Sequence, residues 1–397
     1  MGSPMQWNAE TAYVLTFYKY LLGIIGLWVL DEENIFSRIR WFISTTIEMT
    51  ATVSLSLEVI RHCNGYEDAF DAFLSASSSV ISMTKLLMHR VNWRDKLILV
   101  QAVIHDWTFV EHLQSRDIML KYARTGRFGF LIFFYLGCGS CVFLFSSFIF
   151  ANLDLPSLEQ QTYNKTSQKR LLFPAYCVFE TYTSFAYGLV EVLQTLQIFV
   201  NCISQCGNDG FFFDLTIHVC GQFEVLRLNF AEISSKQSLS HKKLGILLKR
   251  HHRLIDLANH LEKAYSLVIL PQLLMSVMLI CVEGFQLILA LTMDNTLFAA
   301  IKHLLYIAVL LVQLFIYCFA GQTLEFQSQS LAYAIYEIPW YNFNVSMMKD
   351  LPLMIFRATN PHRLTAGKFL AINFVSFKDI LKASASYLSV LRVMIET

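Results

Sequence analysis

The 397-residue chain is 55% hydrophobic, only 15% charged and carries a formal net charge of +1, with a mean hydropathy of +0.46. A water-soluble domain carries about a quarter charged residues, so this much apolar surface needs lipid as its solvent and implies an all-α polytopic membrane protein. Near-zero charge and the lack of a Lys/Arg-rich run exclude a broad nucleic-acid footprint.

In chain order, the N-terminal MGSPMQWNAETAYVL is not basic, and the apolar run at 18–30 is too short to span. No cleavable signal is expected, and that run should lie in the interface or dip in and return. Gln6 stands where a myristoylation motif needs Ser or Thr. Seven later stretches approach the roughly 20 residues that a bilayer core requires: 41–60, 69–88, 128–153, 182–206, 265–293, 297–322 and 367–394. The fourth runs on almost unbroken through 210–228, too long for one crossing. It predicts a helix that projects beyond the bilayer and buries its extra length against protein.

Loop charge sets the orientation. The connection after the second stretch carries Arg90, Arg94, Lys96, Arg116, Lys121, Arg124 and Arg127. The one after the fourth carries Arg227, Lys236, Lys242, Lys243, Lys249, Arg250, Arg253 and Lys263. The loop after the first has only Arg61, and the loop after the third only Lys165, Lys169 and Arg170. Both basic loops are therefore expected in the cytoplasm, with the N-terminus inside and the C-terminus outside. Asn164-Lys165-Thr166 is a glycosylation acceptor in a loop then expected outside, although Asn344-Val345-Ser346 is a similar triplet expected inside. Most of the nine cysteines lie in or beside apolar segments and read as small buried hydrophobes, whereas Cys63 and Cys177 are the two that could meet in extracellular loops.

No HExxH, Walker loop, GxSxG or useful metal-ligand spacing is present, so neither enzyme chemistry nor a metal or cofactor is expected. His218 and Cys220 read as side chains packed on a buried helix, and His251-His252 as a solvated pair. Three acids, Glu58, Glu191 and Glu283, sit at membrane depth, where carboxylates are costly. Glu58 is near enough to a helix end to reach water. Glu191 and Glu283 either face a water-accessible pocket or snorkel and pair with neighbours.

Toward the C-terminus stand Ala334-x-Tyr336-x-x-x-Trp340-Tyr341, Leu351–Arg357, Pro361, Leu364-Thr365-Ala366-Gly367-Lys368-Phe369, Phe377, Ile380-Leu381 and Ser386-Tyr387. Together with His218-x-Cys220-x-Gln222-Phe223 and Phe173-Pro174-Ala175-Tyr176, these resemble the insect odorant receptor family. Upstream of the fourth stretch the likeness is one of topology and length. Asn360-Pro361 followed by His-Arg, an inside N-terminus and no Asp-Arg-Tyr after the third stretch speak against a G-protein-coupled receptor. Arg392-Val393-Met394 replaces the Gln-Phe ending usual in gustatory receptors, and the loop at 233–262 has no room for the long insertion of the odorant co-receptor.

The resemblance implies a ligand-tuning subunit of a ligand-gated, non-selective cation channel. Its partners would be the co-receptor, in a heterotetramer, a small volatile or lipophilic ligand, and membrane lipid. Its place would be the plasma membrane, in the dendrites of olfactory sensory neurons. Residues 1–325 would hold six membrane helices and the ligand site, with cytoplasmic extensions at 207–264. Residues 326–366, including a short helix at 345–357, would form a cytoplasmic anchor in which Tyr336, Trp340 and Tyr341 serve assembly. Residues 367–397 would supply the pore helix and an extracellular tail. Val390 and Met394, four apart on one helix face, match the family's hydrophobic gate, which would close by dewetting. Tyr387 and Val393 would line the pore, Val393 standing where the co-receptor has a polar residue. The family's ligand pocket lies in the outer half of the membrane. By depth alone its candidates here are Phe73, Ser77, Val80, Cys138, Cys141, Val142, Phe145, Tyr187, Glu191, Thr195, Glu283 and Tyr306. A metabotropic receptor signalling through the basic loops is the alternative.

Overall fold

Apolar runs of this length satisfy their backbone in lipid most simply as α-helices, and the computed structural model of the chain is helical almost throughout. It describes residues 7–31, 34–61, 66–110, 112–153, 171–175, 177, 184–236, 241–292, 297–343 and 348–396. The helices are α1 (Ala9–Ile24), α2 (Ile35–Arg61), α3 (Tyr66–Val91), α4 (Trp93–Thr108) and α5 (Leu113–Leu153). They continue as α6 (Ser184–Lys236), α7 (His241–Thr292), α8 (Leu297–Tyr336), α9 (Asp350–Thr359) and α10 (Phe374–Glu396). Among the described residues, four helices, α5 to α8, are long and apolar enough by length and composition to cross a membrane. The stretches at 41–60, 69–88 and 367–394 correspond to α2, α3 and α10, which are long enough but carry more polar positions.

The 53 residues of α6 make a rod of about 80 Å, far longer than a bilayer core. Its second half carries apolar side chains on every face. A helix of that kind must be surrounded by protein, and Phe211, Phe212, Leu215, Cys220, Phe223 and Phe230 are all buried. The lower parts of α5, α7 and α8 pack around it, with α4 against α7 and α9 against α8.

The run at 18–30 does not form a spanning helix of its own. It belongs to α1 and the turn that follows, and it buries Tyr18, Leu22, Leu27 and Trp28 against the protein core while Tyr20 and Ile24 stay exposed. Its apolar excess is therefore taken up partly by α6 and α4, which hydropathy alone does not distinguish from lipid.

The last helix also starts later than the apolar pattern implies, at Phe374 rather than residue 367. Thr365–Ala366 pairs antiparallel with Leu370–Ala371, and the turn between them uses Gly367 at φ 59° and Lys368 at φ 66°. Two consecutive positive φ angles are what a tight hairpin turn demands. The Glu262 carboxylate on α7 accepts the Thr365 N–H at 2.8 Å and also the Thr365 hydroxyl, and Gly367 N–H donates to Ser266 O at 2.9 Å. Asn373 then caps α10, its Oδ1 accepting the N–H groups of Val375 and Ser376 at 3.1 Å. The short preceding helix is Asp350–Thr359 rather than 345–357.

Candidate functional site

Polar side chains inside an apolar bundle need partners, and in this chain they gather around one space. A cavity of about 210 Å³ lies among α3, α5, α6, α7 and α8 and is covered by the strap at Leu172–Pro174. The strap is fixed to α6 by Gln194, which accepts the Phe173 N–H at 3.2 Å and donates to Phe173 O at 2.9 Å. Beside it Glu58 accepts the Cys177 N–H at 2.8 Å. Glu58 is fully buried and does not reach water as its position near a helix end suggests. Cys177 is disulfide-bonded; Cys63, like Asn164, lies outside the described residues.

One end of the cavity carries an ion pair and a histidine–carboxylate contact. Lys302 reaches Asp71 at 3.1 Å, and His303 Nδ1 lies 2.8 Å from Glu283. At the other end is a buried network. Lys85 pairs with Asp209 at 2.7 Å and also donates to Gln205. Gln313 and Tyr317 donate to Asp209 at 2.5 and 2.6 Å. Because Asp209 only accepts, the Gln313 amide must turn its NH₂ toward it and its oxygen toward Gln272. Gln272 then donates to that oxygen at 3.0 Å. The chain of donors leaves Gln272 Oε1 as a buried acceptor without a protein partner, on a side chain that lines the cavity.

Cys141, Glu283 and Tyr306, chosen by depth, line this cavity. Phe73, Ser77, Val80, Cys138, Val142, Phe145, Tyr187, Glu191 and Thr195 are not among its lining residues. The difference is one of helix rotation. On α3 the cavity meets Ser75, Ser78 and Ser79, and on α5 Gly137, Ser140 and Cys141, each step of one residue turning a side chain by about 100°. Val80 and Val142 consequently face outward and are exposed, Phe145 packs on Phe199 at 6.4 Å between ring centroids, and Tyr187 packs on Leu171, Ala175 and Val190. On α6 the lining begins lower, at Gln197, Asn201 and Gln205. These amides are legible in the sequence as polar residues at membrane depth, a signal that a search restricted to acids passes over.

The same helix that lines the cavity holds the last helix. Gln272, Leu279 and Glu283 of α7 face the cavity, whereas Val277 O accepts the Ser384 hydroxyl of α10 at 3.3 Å. A Cβ at Gly284 would lie 3.0 Å from Leu388 Cδ2, so glycine lets α7 and α10 approach. Farther along α10, Tyr387 and Val390 are each 56% exposed; the side chains of Val393 and Met394 lie outside the described residues. Tyr336, Trp340 and Tyr341 are also exposed. A wider groove of about 610 Å³ lies between α5, α6 and α8 below the cavity, but exposed Phe326 and Tyr333 at its edge make it a surface feature. Among the described residues no cluster of three or more His, Cys, Asp or Glu is arranged to hold a metal.

These features define a polytopic helical membrane protein with a small-molecule-sized cavity inside its bundle. The 7tm Odorant receptor family model matches residues 66–385, and the chain belongs to that family. Odorant receptor 10a of Drosophila melanogaster is 27% identical over 245 residues, covering 58% of this chain and 56% of the relative. Odorant receptor 22c of the same species is 20% identical over 414 residues, 99% of this chain and 92% of the relative. The chain thus spans about half the length of some relatives that it matches and nearly all of others. The olfactory receptor OR5 from Machilis hrabei shares the fold, with a TM-score of 0.77, 14% identity and coverage of 96% of this chain and 99% of that one. The structure of that receptor in complex with eugenol gives a TM-score of 0.75 at 14% identity, over 97% and 100% of the two chains.

Proposed function

We propose that the chain is a ligand-tuning subunit of an odorant-gated, non-selective cation channel, assembled with the odorant co-receptor in the plasma membrane of sensory dendrites. It spans the membrane seven times, through α2, α3, α5, α6, α7, α8 and α10, with its N-terminus in the cytoplasm and its C-terminus outside. The basic loops support that orientation. The observation that carries the functional reading is the two-faced α7, which lines the cavity through Gln272 and Glu283 and holds α10 through Val277 and Gly284. A ligand that binds better to one placement of α7 shifts the population of that placement. It thereby moves α10, whose Val390 and Met394 form the gate, Tyr387 and Val393 lining the pore beside them. Tyr336, Trp340 and Tyr341 contribute to the contact with neighbouring subunits.

The complex of the Machilis hrabei receptor with eugenol supports a small organic ligand for the cavity. The unpartnered Gln272 Oε1 favours one with a hydroxyl to donate, such as an alcohol or phenol, with the rest buried against Leu279, Val309 and Leu310 at about 25 cal/mol per Å² of apolar surface. The test is ionic current in cells expressing the chain with the co-receptor, probed with a panel of volatiles. Current evoked in excised patches without nucleotide supports the channel. Current that needs nucleotide or a G protein supports a metabotropic receptor instead.

A further inference from the structure

A second pocket, open to solvent on one side and away from the bundle cavity, carries hydrogen-bond donors that the protein leaves unmatched. It has a volume of about 380 Å³ and lies where the end of α4 and the start of α5 meet α6 and α7. Its charged wall is formed by Lys249, Arg250 and Arg253 of α7, His105 and His112 beside the α4–α5 turn, and a lone carboxylate among the described residues, Asp106.

Asp106 is already committed. Arg253 approaches it at 2.8 Å, His218 Nε2 at 3.2 Å and His105 Nδ1 at 3.6 Å. Burial alone would raise the Asp106 carboxyl, but the bonds from the two histidines and the charges of His218 and Arg253 outweigh it and hold it well below the usual range. His218 is buried on α6, as expected of it, and its Nε2 also meets Asp106, whereas His251 on α7 is buried rather than solvated.

Arg250 is left over. Among the described residues no carboxylate lies within 4.0 Å of it or of Lys249. Burial pushes the Arg250 pKa down, the nearby Asp106 opposing and Arg253 adding to the shift, and a guanidinium stays charged regardless. Among the described residues its neutral acceptor is Gln222 Oε1, at 2.9 Å. Arginine only donates, so the Gln222 amide must turn its oxygen toward Arg250. Its Nε2 is then a buried donor with no partner, on a side chain that is 1% exposed and lines the cavity. A half-buried guanidinium whose nearby carboxylate, Asp106, is engaged by Arg253 and two histidines, and an orphaned amide N–H, are both costly. One ligand chemistry relieves both: several strong acceptor oxygens carrying negative charge.

We propose that this cavity binds a small, multiply phosphorylated soluble anion. Arg250 and Gln222 Nε2 hold one phosphate at the buried end, and Lys249, at the exposed rim, meets a second. The volume exceeds what a single inorganic ion fills. With α6 leaving the bilayer near residue 206, Gln222 and Asn229 stand 16 and 23 residues further on, or about 24 and 35 Å along a helix. A lipid headgroup does not reach that depth, so the ligand comes from the cytosol. This last step rests on the orientation proposed above. The binding itself does not, so its failure is separable from failure of the channel reading, which is judged by current.

The probe is inositol hexakisphosphate added to the purified full-length chain in detergent at physiological salt, read by melting temperature and by calorimetric titration. The expected result is saturable stabilisation in the micromolar range, with inorganic phosphate far weaker. Lys249→Glu, at an exposed position, weakens binding roughly tenfold or more, and Arg250→Gln does the same from the buried end. The ligand-free melting temperature of each variant reports folding separately. Absence of binding, equal binding in both variants, or a response confined to nanodiscs containing a phosphoinositide would overturn the proposal.

Discussion

At the floor of the bundle cavity, Lys85, Asp209, Gln272 and Gln313 are buried and bonded to one another across α3, α6, α7 and α8. In the C-terminal segment, by contrast, Tyr336, Tyr341, Phe356, Phe369 and Val390 all stand more than half exposed. Among the described residues the first region satisfies its charges and amides within one chain, leaving a single acceptor, Gln272 Oε1, open. The second presents aromatic and apolar surface of the kind that marks an interaction site. On the proposed function, recognition would be complete in the isolated subunit, whereas assembly and conduction would be completed by neighbours.

The comparison breaks most readily at the network. Asp209→Ala leaves Lys85 buried without its counter-charge, and removing one partner of such a pair costs about 3–5 kcal/mol. The expected outcome, measured as melting temperature and surface expression, is a severe loss, partly recovered by replacing Lys85 with Met in the same chain. A smaller, more selective effect is expected of Gln272→Leu. It removes the open acceptor and should weaken a hydroxyl-bearing ligand by about 1–3 kcal/mol, seen as a rightward shift of its dose–response curve. A ligand of the same shape without the hydroxyl should shift little. Smallest for the chain itself is Tyr341→Ala. At an exposed position its effect on subunit stability should stay within about 0.5 kcal/mol, while co-purification with the co-receptor falls.

The two regions also differ in how far their amino-acid sequence alone discloses them. The largely apolar character of 210–228 predicts a helix buried in protein, and that part of α6 is one. The C-terminal spacing carries the family resemblance. Depth can be read from hydropathy, but rotation about a helix axis cannot. That is why Cys141 and Tyr306 line the cavity while Val142 and Val80 point away from it. The amides Gln197, Gln205, Gln272 and Gln313 are visible as polar residues in apolar runs, yet their meaning depends on pairing across helices 41 or more positions apart. The hairpin at 365–371 is hidden because Phe369, Leu370 and Ala371 extend the apolar run of α10. It is the long-range bond from Thr365 to Glu262, 103 residues away, that pins them off the helix.

The central claim, that a ligand between α7 and its neighbours moves α10, is tested most directly at Val390. A cysteine placed there, in a channel formed with the co-receptor, is exposed to a thiosulfonate reagent with and without a ligand known to evoke current. The account predicts faster modification in the presence of ligand, as α10 moves and the constriction opens. An unchanged rate while the same ligand still evokes current would contradict it.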